Sequence, residues 1–163
     1  MIIALTGYMG AGKTTVGRNV ADALGCMFID LDDVIVKKAG KSIPEIFEQD
    51  GEAAFRALEA DCLAKTVKKY ANSTVVLALG GGTVTCPGAA ELLKKDTLCI
   101  WLKASPEILL ARAAGTERPL ADENFEKRYL EREPLYEAAS HIILDTEGLT
   151  SEEIADEIII DCL

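Results

Sequence analysis

Residues 7–15 form a glycine-rich stretch whose spacing is suited to binding phosphate groups. Its sequence, Gly-Tyr-Met-Gly-Ala-Gly-Lys-Thr-Thr, matches the P-loop pattern G-x-x-x-x-G-K-[ST]. Glycine lets such a loop curl so that backbone N–H groups point at phosphate oxygens, and the following helix adds the positive end of its dipole. The lysine contacts the β- and γ-phosphates of a nucleotide, and the threonine hydroxyl binds Mg²⁺. The predicted nucleotide-binding residues of the loop are therefore Gly10, Ala11, Gly12, Lys13, Thr14 and Thr15, with Lys13 catalytic and Thr14 a metal ligand.

The segments on both sides of this stretch are those that a P-loop requires. Residues 2–6 are a short apolar run that predicts a β-strand, and residues 14–24 have apolar side chains at helical spacing. Gly25 follows at a position where helices commonly end. A chance glycine-rich turn would not have this order of strand, loop and helix, so we favour nucleotide binding.

Strand-like and helix-like segments alternate along the rest of the chain. Five strands joined by helical crossovers predict an α/β fold, in which a parallel sheet is covered by helices on both faces. Because the chain has no repeat and no long linker, residues 1–163 are predicted to form a single domain. Strands are predicted at residues 2–6, 27–29, 74–79, 98–102 and 142–144, a helix is predicted to open at Pro87, and capping boxes at residues 42–45 and 150–153 predict two further helix starts.

Two aspartates follow the second predicted strand. Ligands of parallel-sheet proteins bind at the carboxyl ends of the strands, where Asp30, Asp32 and residues 80–82 would meet the P-loop. Either aspartate could hold Mg²⁺ through water or accept a hydrogen bond from a substrate hydroxyl. The alternative is that they cap the next helix, a position that aspartate favours.

Arginines are few and concentrated in one part of the chain, because four of the six lie between residues 112 and 132. Phosphoryl transfer places negative charge on phosphate oxygens, which guanidinium groups stabilise, so Arg112, Arg118 and Arg132 are candidates for nucleotide or phosphate contact. The polar segment 115–120, with Arg118 inside it, is typical of a lid that excludes water. The alternative for Arg118 is a solvated residue in a surface ion pair.

The composition limits the classes of partner. The chain has 163 residues and a net charge of −10, which argues against binding to nucleic acid or to an anionic membrane surface. No apolar run is long enough to span a membrane, and the P-loop at residue 7 leaves no room for a signal peptide, so a cytoplasmic location is expected. The five scattered cysteines are expected to be reduced, and the single histidine, His141, to be structural. Without a partner-binding tail, a monomer that binds small molecules is expected.

Among P-loop proteins, a small-molecule kinase fits these features best. A GTPase needs an N-K-x-D motif, which the chain lacks, and the D-x-x-G match at residues 22–25 lies inside the first predicted helix. Ring-forming ATPases are usually larger, and no basic channel is evident. Arginines together with paired aspartates suit the transfer of a phosphoryl group to a small acceptor.

Further motifs, in a fixed order along nearly the whole chain, resemble those of the shikimate kinase family. The P-loop alone occurs in many families, whereas this combination is far more specific. The resemblance implies a three-layer P-loop kinase fold with a substrate-binding helical segment at about residues 32–60 and a lid at about residues 112–123. Besides the P-loop, the matching motifs are Asp30-Leu31-Asp32, Ile46-Phe47, Gly51-Glu52, Phe55-Arg56 with Glu59, Gly80-Gly81-Gly82, Arg118-Pro119-Leu120 and Arg132-Glu133-Pro134-Leu135-Tyr136.

The resemblance also implies a reaction and a role for each matching residue. The reaction is transfer of the γ-phosphate of ATP, with Mg²⁺, to the 3-hydroxyl of shikimate. Asp32 would bind the substrate hydroxyls and help to deprotonate the attacking one, while Arg56 and Arg132 would bind the carboxylate. The other implied contacts are Gly80, Gly81 and Gly82 with the substrate through backbone groups, Arg118 with the transferring phosphate, Arg112 with the adenine, and Asp30 with Mg²⁺ through water.

Three alternatives remain open at this level. Asp145 and Thr146, after the last predicted strand, are a second candidate for the adenine site, unless they form an ordinary turn. Arg56 with Arg132 favours an acceptor that has a carboxylate, but a kinase of gluconate or of a nucleoside monophosphate would have the same core. The third is a non-catalytic nucleotide-binding module, although none of the expected catalytic residues is missing.

Overall fold

Five parallel strands form the centre of the protein. The computed structural model describes residues 1–113 and 124–163, and in this part of the chain the strand order is β2-β3-β1-β4-β5. All four strand pairs are parallel, which confirms the predicted sheet. The strands are β1 Ile2–Thr6, β2 Met27–Asp30, β3 Val75–Ala78, β4 Leu98–Lys103 and β5 Ile142–Asp145.

Helices cover both faces of this sheet. A Cβ placed on Gly17 would lie 3.4 Å from Leu5, so the first helix packs on the face of β1 to which Leu5 points. Trp101 pairs in register with Thr6, and its ring lies 5.5 Å from that of Tyr136 on the seventh helix. Successive side chains of a strand point to opposite faces, so these two helices form separate layers. The helices are α1 Lys13–Leu24, α2 Leu31–Ala39, α3 Ile43–Asp50, α4 Glu52–Lys69, α5 Ala89–Asp96, α6 Pro106–Ala113, α7 Phe125–Ala139 and α8 Ser151–Glu157.

The helix boundaries agree with the predicted caps at all but one place. Both capping boxes are present, with Ser42 and Thr150 each accepting a hydrogen bond from a backbone N–H one turn later. The predicted helix start at Pro87 is wrong, because a short 3₁₀ turn at Thr83–Thr85 comes first and α5 begins at Ala89. Gly88 separates the two with φ +80°, a conformation that glycine adopts without strain.

The contacts of His141 and the state of the cysteines agree with the structural roles expected for them. The Nδ1 of His141 accepts a hydrogen bond from the backbone N–H of Cys99 at 3.0 Å, and its Nε2 lies 2.9 Å from the carbonyl oxygen of Lys94. All five cysteines are free thiols. Within residues 1–113 and 124–163, no helix is long and apolar enough to cross a membrane.

Candidate active site

A cavity of about 690 Å³ opens at the carboxyl ends of three neighbouring strands. The P-loop follows β1, Asp30 ends β2, and the glycines at 80–82 follow β3, so the sheet order brings these three segments together. Helices α3, α4 and α7 complete the wall. Of the predicted site residues, those that line the cavity are Gly12, Lys13, Thr14, Thr15, Asp30, Asp32, Arg56, Gly80, Gly81, Gly82 and Arg132.

The P-loop adopts a conformation that depends on glycine. Gly10 and Gly12 have φ of +87° and +83°, where side chains are rarely tolerated. A Cβ on Gly10 would also lie 2.7 Å from the carbonyl oxygen of Leu109 on α6. Lys13 donates hydrogen bonds from Nζ to the carbonyl oxygens of Gly7 at 2.6 Å and Tyr8 at 3.1 Å. The lysine is therefore curled over the loop at the N-terminus of α1, beside the N–H groups that suit phosphate.

Asp30 makes two different contacts with its two carboxylate oxygens. Oδ1 accepts a hydrogen bond from the N–H of Asp32 at 2.9 Å, which caps α2, and Oδ2 accepts one from the hydroxyl of Thr14 at 3.1 Å. The capping interpretation is thus correct for Asp30, but Asp32 in the first helical turn does not act as the cap. A hydroxyl and a carboxylate side by side are the hard oxygen donors that Mg²⁺ prefers, so these residues fit that ion.

Asp32 is a carboxylate in an unfavourable environment for negative charge. Burial and the neighbouring carboxylates of Asp30 and Glu59 raise its pKa to about 6, while Lys13 acts in the opposite direction. A Cβ on Gly80 would lie 3.3 Å from Oδ1 of Asp32 and 3.0 Å from Oε2 of Glu59. Asp32 and Glu59 therefore border the same glycine, and a raised pKa in a cleft is typical of functional carboxylates.

Arg56 is held in place by a buried carboxylate on its own helix. Glu59 is 1% exposed and accepts a hydrogen bond from Nη1 of Arg56 at 2.7 Å. Its other oxygen accepts a hydrogen bond from the hydroxyl of Thr83 at 2.8 Å. Buried charges are stable only when paired and hydrogen-bonded, so this network fixes the guanidinium at the cavity wall. Neither Glu59 nor Thr83 had been given a role from the sequence.

Arg132 lines the cavity from a different helix, α7. It is 7% exposed, and its guanidinium carbon lies 5.6 Å from the centre of the Tyr8 ring. One turn later, the hydroxyl of Tyr136 donates a 2.5 Å hydrogen bond to the carbonyl oxygen of Gly81. Burial raises the pKa of Tyr136, and the Arg132 guanidinium beside it opposes that shift. Helix α7 therefore supplies Arg132 to the cavity and, through Tyr136, also binds the glycine segment 80–82.

The rest of the cavity wall is apolar and comes from the segment expected to bind substrate. Ile43, Pro44 and Phe47 of α3 face Phe55 of α4, and the Phe47 and Phe55 rings are 4.8 Å apart. Sequence reasoning gave these side chains no role. An apolar wall with a few convergent charges is typical of sites for small molecules.

Five described residues that were candidates do not line the cavity, and Arg118 is not among the described residues; the five are Gly10, Ala11, Arg112, Asp145 and Thr146. Arg112 is exposed in the last turn of α6, where its Cβ would lie 3.6 Å from a Cβ on Gly10, so it borders the P-loop outside the cavity. Asp145 accepts a hydrogen bond from the N–H of Glu147, and the hydroxyl of Thr146 donates one to the carbonyl oxygen of Lys103. The bond of Asp145 is local to the turn after β5, whereas the bond of Thr146 joins the end of β5 to the end of β4.

The sheet order, the P-loop and the charged cavity define a P-loop kinase of small molecules. The family model of shikimate kinase matches residues 9–163. Shikimate kinases of Caldanaerobacter subterraneus subsp. tengcongensis and Enterococcus faecalis are 45% and 41% identical to this chain, cover 96% of it in both cases, and are themselves covered over 93% and 95% of their length.

A solved structure gives the same result. The shikimate kinase of Acinetobacter baumannii, determined in complex with shikimate, is 36% identical and superposes with a TM-score of 0.86. The match covers 97% of this chain and 90% of that one. The chain therefore belongs to the shikimate kinase family.

Proposed function

We propose that this protein transfers the γ-phosphoryl group of ATP to the 3-hydroxyl of shikimate, giving shikimate 3-phosphate and ADP. The observation that supports this most strongly is the meeting of the P-loop, Asp32, Arg56 and Arg132 in one cavity. Membership of the family adds to it, because shikimate kinases use ATP, generally with Mg²⁺.

The acceptor is recognised by charge on one side and by hydrogen bonds on the other. Arg56 and Arg132 bind the single carboxylate of shikimate, for which two guanidinium groups supply both charge and direction. Asp32 accepts hydrogen bonds from the ring hydroxyls, since an ionised carboxylate is only an acceptor. Backbone groups of residues 80–82 complete the contacts.

Catalysis rests on positioning and on charge stabilisation, without a covalent intermediate. Asp32 takes the proton of the 3-hydroxyl as that oxygen attacks the γ-phosphorus, and ADP leaves. Lys13 exchanges its hydrogen bonds with the loop carbonyls for the phosphate oxygens, whose negative charge it stabilises. Thr14 and, through water, Asp30 would hold Mg²⁺, which neutralises phosphate charge when it is bound.

The remaining assignments are proposals of the same account. Arg118 stabilises the transferring phosphate, and residues 112–123 act as the lid that excludes water. Arg112 lies on the nucleotide side because it borders the P-loop at Gly10. A monomer in the cytoplasm remains the prediction for the state and location of the protein.

An acceptor panel tests this function. ADP release from Mg²⁺-ATP is measured with shikimate, gluconate, AMP or no acceptor, and again without Mg²⁺. We expect turnover only when shikimate is the acceptor and only when Mg²⁺ is present. Turnover with gluconate or AMP in place of shikimate would move the site to another acceptor, and tight ATP binding without any turnover would favour a non-catalytic nucleotide-binding module.

Replacing Arg56 by lysine is expected to raise the KM for shikimate about 10- to 100-fold and to leave the KM for ATP unchanged. Lysine keeps a charge for the buried Glu59 but loses the planar fork, and hydrogen bonds to charged groups contribute about 1.5–3 kcal/mol. Initial-rate kinetics with each substrate varied gives both constants. Arg18→Lys is the matched control, because Arg18 lies over the Phe28 ring outside the cavity. A rise in the KM for ATP instead would place Arg56 on the nucleotide side.

Replacing Gly82 by alanine tests the role of Arg56 in acceptor binding without substituting a charged residue. A Cβ at this position would lie 2.5 Å from Nη1 of Arg56, whereas the backbone, with φ −105°, suits alanine. We expect the guanidinium to shift and the KM for shikimate to rise about tenfold, with the melting temperature nearly unchanged. Steady-state kinetics and thermal unfolding of the variant check this, and an unaltered KM for shikimate would contradict the expectation that acceptor binding depends on the present position of the Arg56 guanidinium.

A further inference from the structure

Tyr8 is a large side chain within the P-loop that phosphate binding does not use. Its backbone belongs to the nucleotide loop, because its carbonyl oxygen accepts hydrogen bonds from Lys13 at 3.1 Å and from the N–H of Ala11 at 3.1 Å. Its side chain, however, is fully buried. The loop binds phosphate through backbone N–H groups, which require no aromatic side chain at this position, so the buried tyrosine calls for a separate explanation.

The side chain of Tyr8 crosses from the P-loop to α7. Its hydroxyl donates a hydrogen bond to the carbonyl oxygen of Phe125 at 2.8 Å and lies 3.3 Å from Nη1 of Arg128. Its ring centre is 4.7 Å from that of Phe125 and 5.5 Å from that of Tyr129. The first two turns of α7 therefore hold both the plane and the hydroxyl of this ring.

Arg132 lies over the ring that is held in this way. The guanidinium carbon is 5.6 Å from the centre of Tyr8, and the arginine is 7% exposed where it borders the cavity. A guanidinium over an aromatic face is attracted by the ring quadrupole, more so when it is desolvated. Arg56 pairs with Glu59, whereas the contacts that the described part of the chain gives the Arg132 guanidinium include the ring of Tyr8 and the hydroxyl of Tyr136.

We propose that Tyr8 is a positioning residue for Arg132, which ties the acceptor side of the site to the phosphate-binding loop. The proposal rests on the proposed function, since it assumes that Arg132 binds the carboxylate of the acceptor. The loop that binds the nucleotide thus supplies the aromatic ring that the acceptor-binding Arg132 contacts. A displacement of the P-loop would therefore change the position of Arg132 through the Tyr8 ring.

Calorimetric titration of two variants with shikimate and with ADP tests this. Tyr8→Leu removes the ring at similar volume, and we expect the dissociation constant for shikimate to rise about 3- to 30-fold, the range of a desolvated cation–π contact. Tyr8→Phe keeps the ring and loses only the hydroxyl, so affinity should return to within a few-fold of the unsubstituted protein. The dissociation constant for ADP should change less than that for shikimate in both variants. Tyr70→Leu is the matched control, because Tyr70 ends α4 against Lys69 and lies outside the cavity.

A double-mutant cycle separates positioning from a general loss of structure. In an Arg132→Met background, which removes the cation at similar length, Tyr8→Leu should weaken shikimate binding no further, because the group that the ring orients has gone. An equal loss in both backgrounds, or unchanged shikimate affinity in Tyr8→Leu, would overturn the proposal. If Tyr8→Leu fails to fold, Tyr8→Met, which also removes the ring, replaces it in the cycle, and an equal loss in both backgrounds would again overturn the proposal. Absence of shikimate binding by the unsubstituted protein would overturn the proposed function, and the acceptor role of Arg132 with it.

Discussion

Replacing Lys13 by alanine is expected to lower kcat by at least about 10²–10³-fold, the size of effect seen when one preorganised donor to a developing charge is removed. The Nζ lies within hydrogen-bond distance of the Gly7 and Tyr8 carbonyl oxygens, at the N-terminus of α1. From there it reaches the phosphates by rotation of its own side chain. Rapid-quench measurement of a single turnover reports the chemical step directly.

Two controls make the Lys13 result specific. Lys65→Ala removes a lysine of the same charge that forms an exposed ion pair with Asp61 outside the cavity, so kcat should be retained. The loop of Lys13→Ala keeps the hydrogen bond from the N–H of Ala11 to the carbonyl of Tyr8, so its melting temperature should stay close to that of the unsubstituted protein. A folded Lys13→Ala with near-normal kcat would contradict the assignment of the P-loop to phosphate.

Replacing Asp32 by asparagine is expected to lower kcat by about 10²-fold or more, the usual contribution of a positioned general base. The amide has the shape of the carboxylate but cannot take the proton of the attacking hydroxyl. Burial, Asp30 and Glu59 raise the pKa of Asp32 to about 6, so this carboxyl is a stronger base than an exposed aspartate. Measuring kcat and the KM for shikimate distinguishes its two roles.

The neighbouring residue provides the control for Asp32. Asp33→Asn removes an exposed carboxylate from the same first turn of α2, so any general effect on the helix dipole is matched, while kcat should be retained. If Asp32→Asn raised the KM for shikimate and left kcat unchanged, Asp32 would bind the hydroxyls without acting as a base.

Much of the sheet and of the P-loop could be predicted because the determinants are local. Glycine at positive φ, apolar strands and capping boxes act over a few residues, so their pattern is visible in the chain. Asp30 and Asp32 show the limit of prediction from such local patterns. The sequence allows either aspartate to cap α2. Only the hydrogen bonds of Asp30, with the N–H of Asp32 and with the hydroxyl of Thr14, identify Asp30 as the cap.

The features that could not be predicted depend on contacts between distant parts of the chain. Glu59 is visible as a partner of Arg56 from their spacing of three residues on a helix, but its bond to Thr83 joins two elements that no local pattern connects. The contact of Tyr8 with Phe125 spans 117 residues. The helix start at Pro87 was misplaced because a 3₁₀ turn, whose N–H groups bond to the Gly80 and Gly82 carbonyls, and the left-handed Gly88 precede α5.

Phosphorus NMR of the product identifies the hydroxyl that receives the phosphoryl group. The protein is incubated with Mg²⁺-ATP and shikimate, and the new phosphomonoester resonance is correlated with the protons of the ring. We expect ADP and a phosphomonoester to appear together, and the phosphorus to couple to the proton on carbon 3 of shikimate. Coupling to a proton on another carbinol carbon, or the appearance of inorganic phosphate alone, would contradict this expectation.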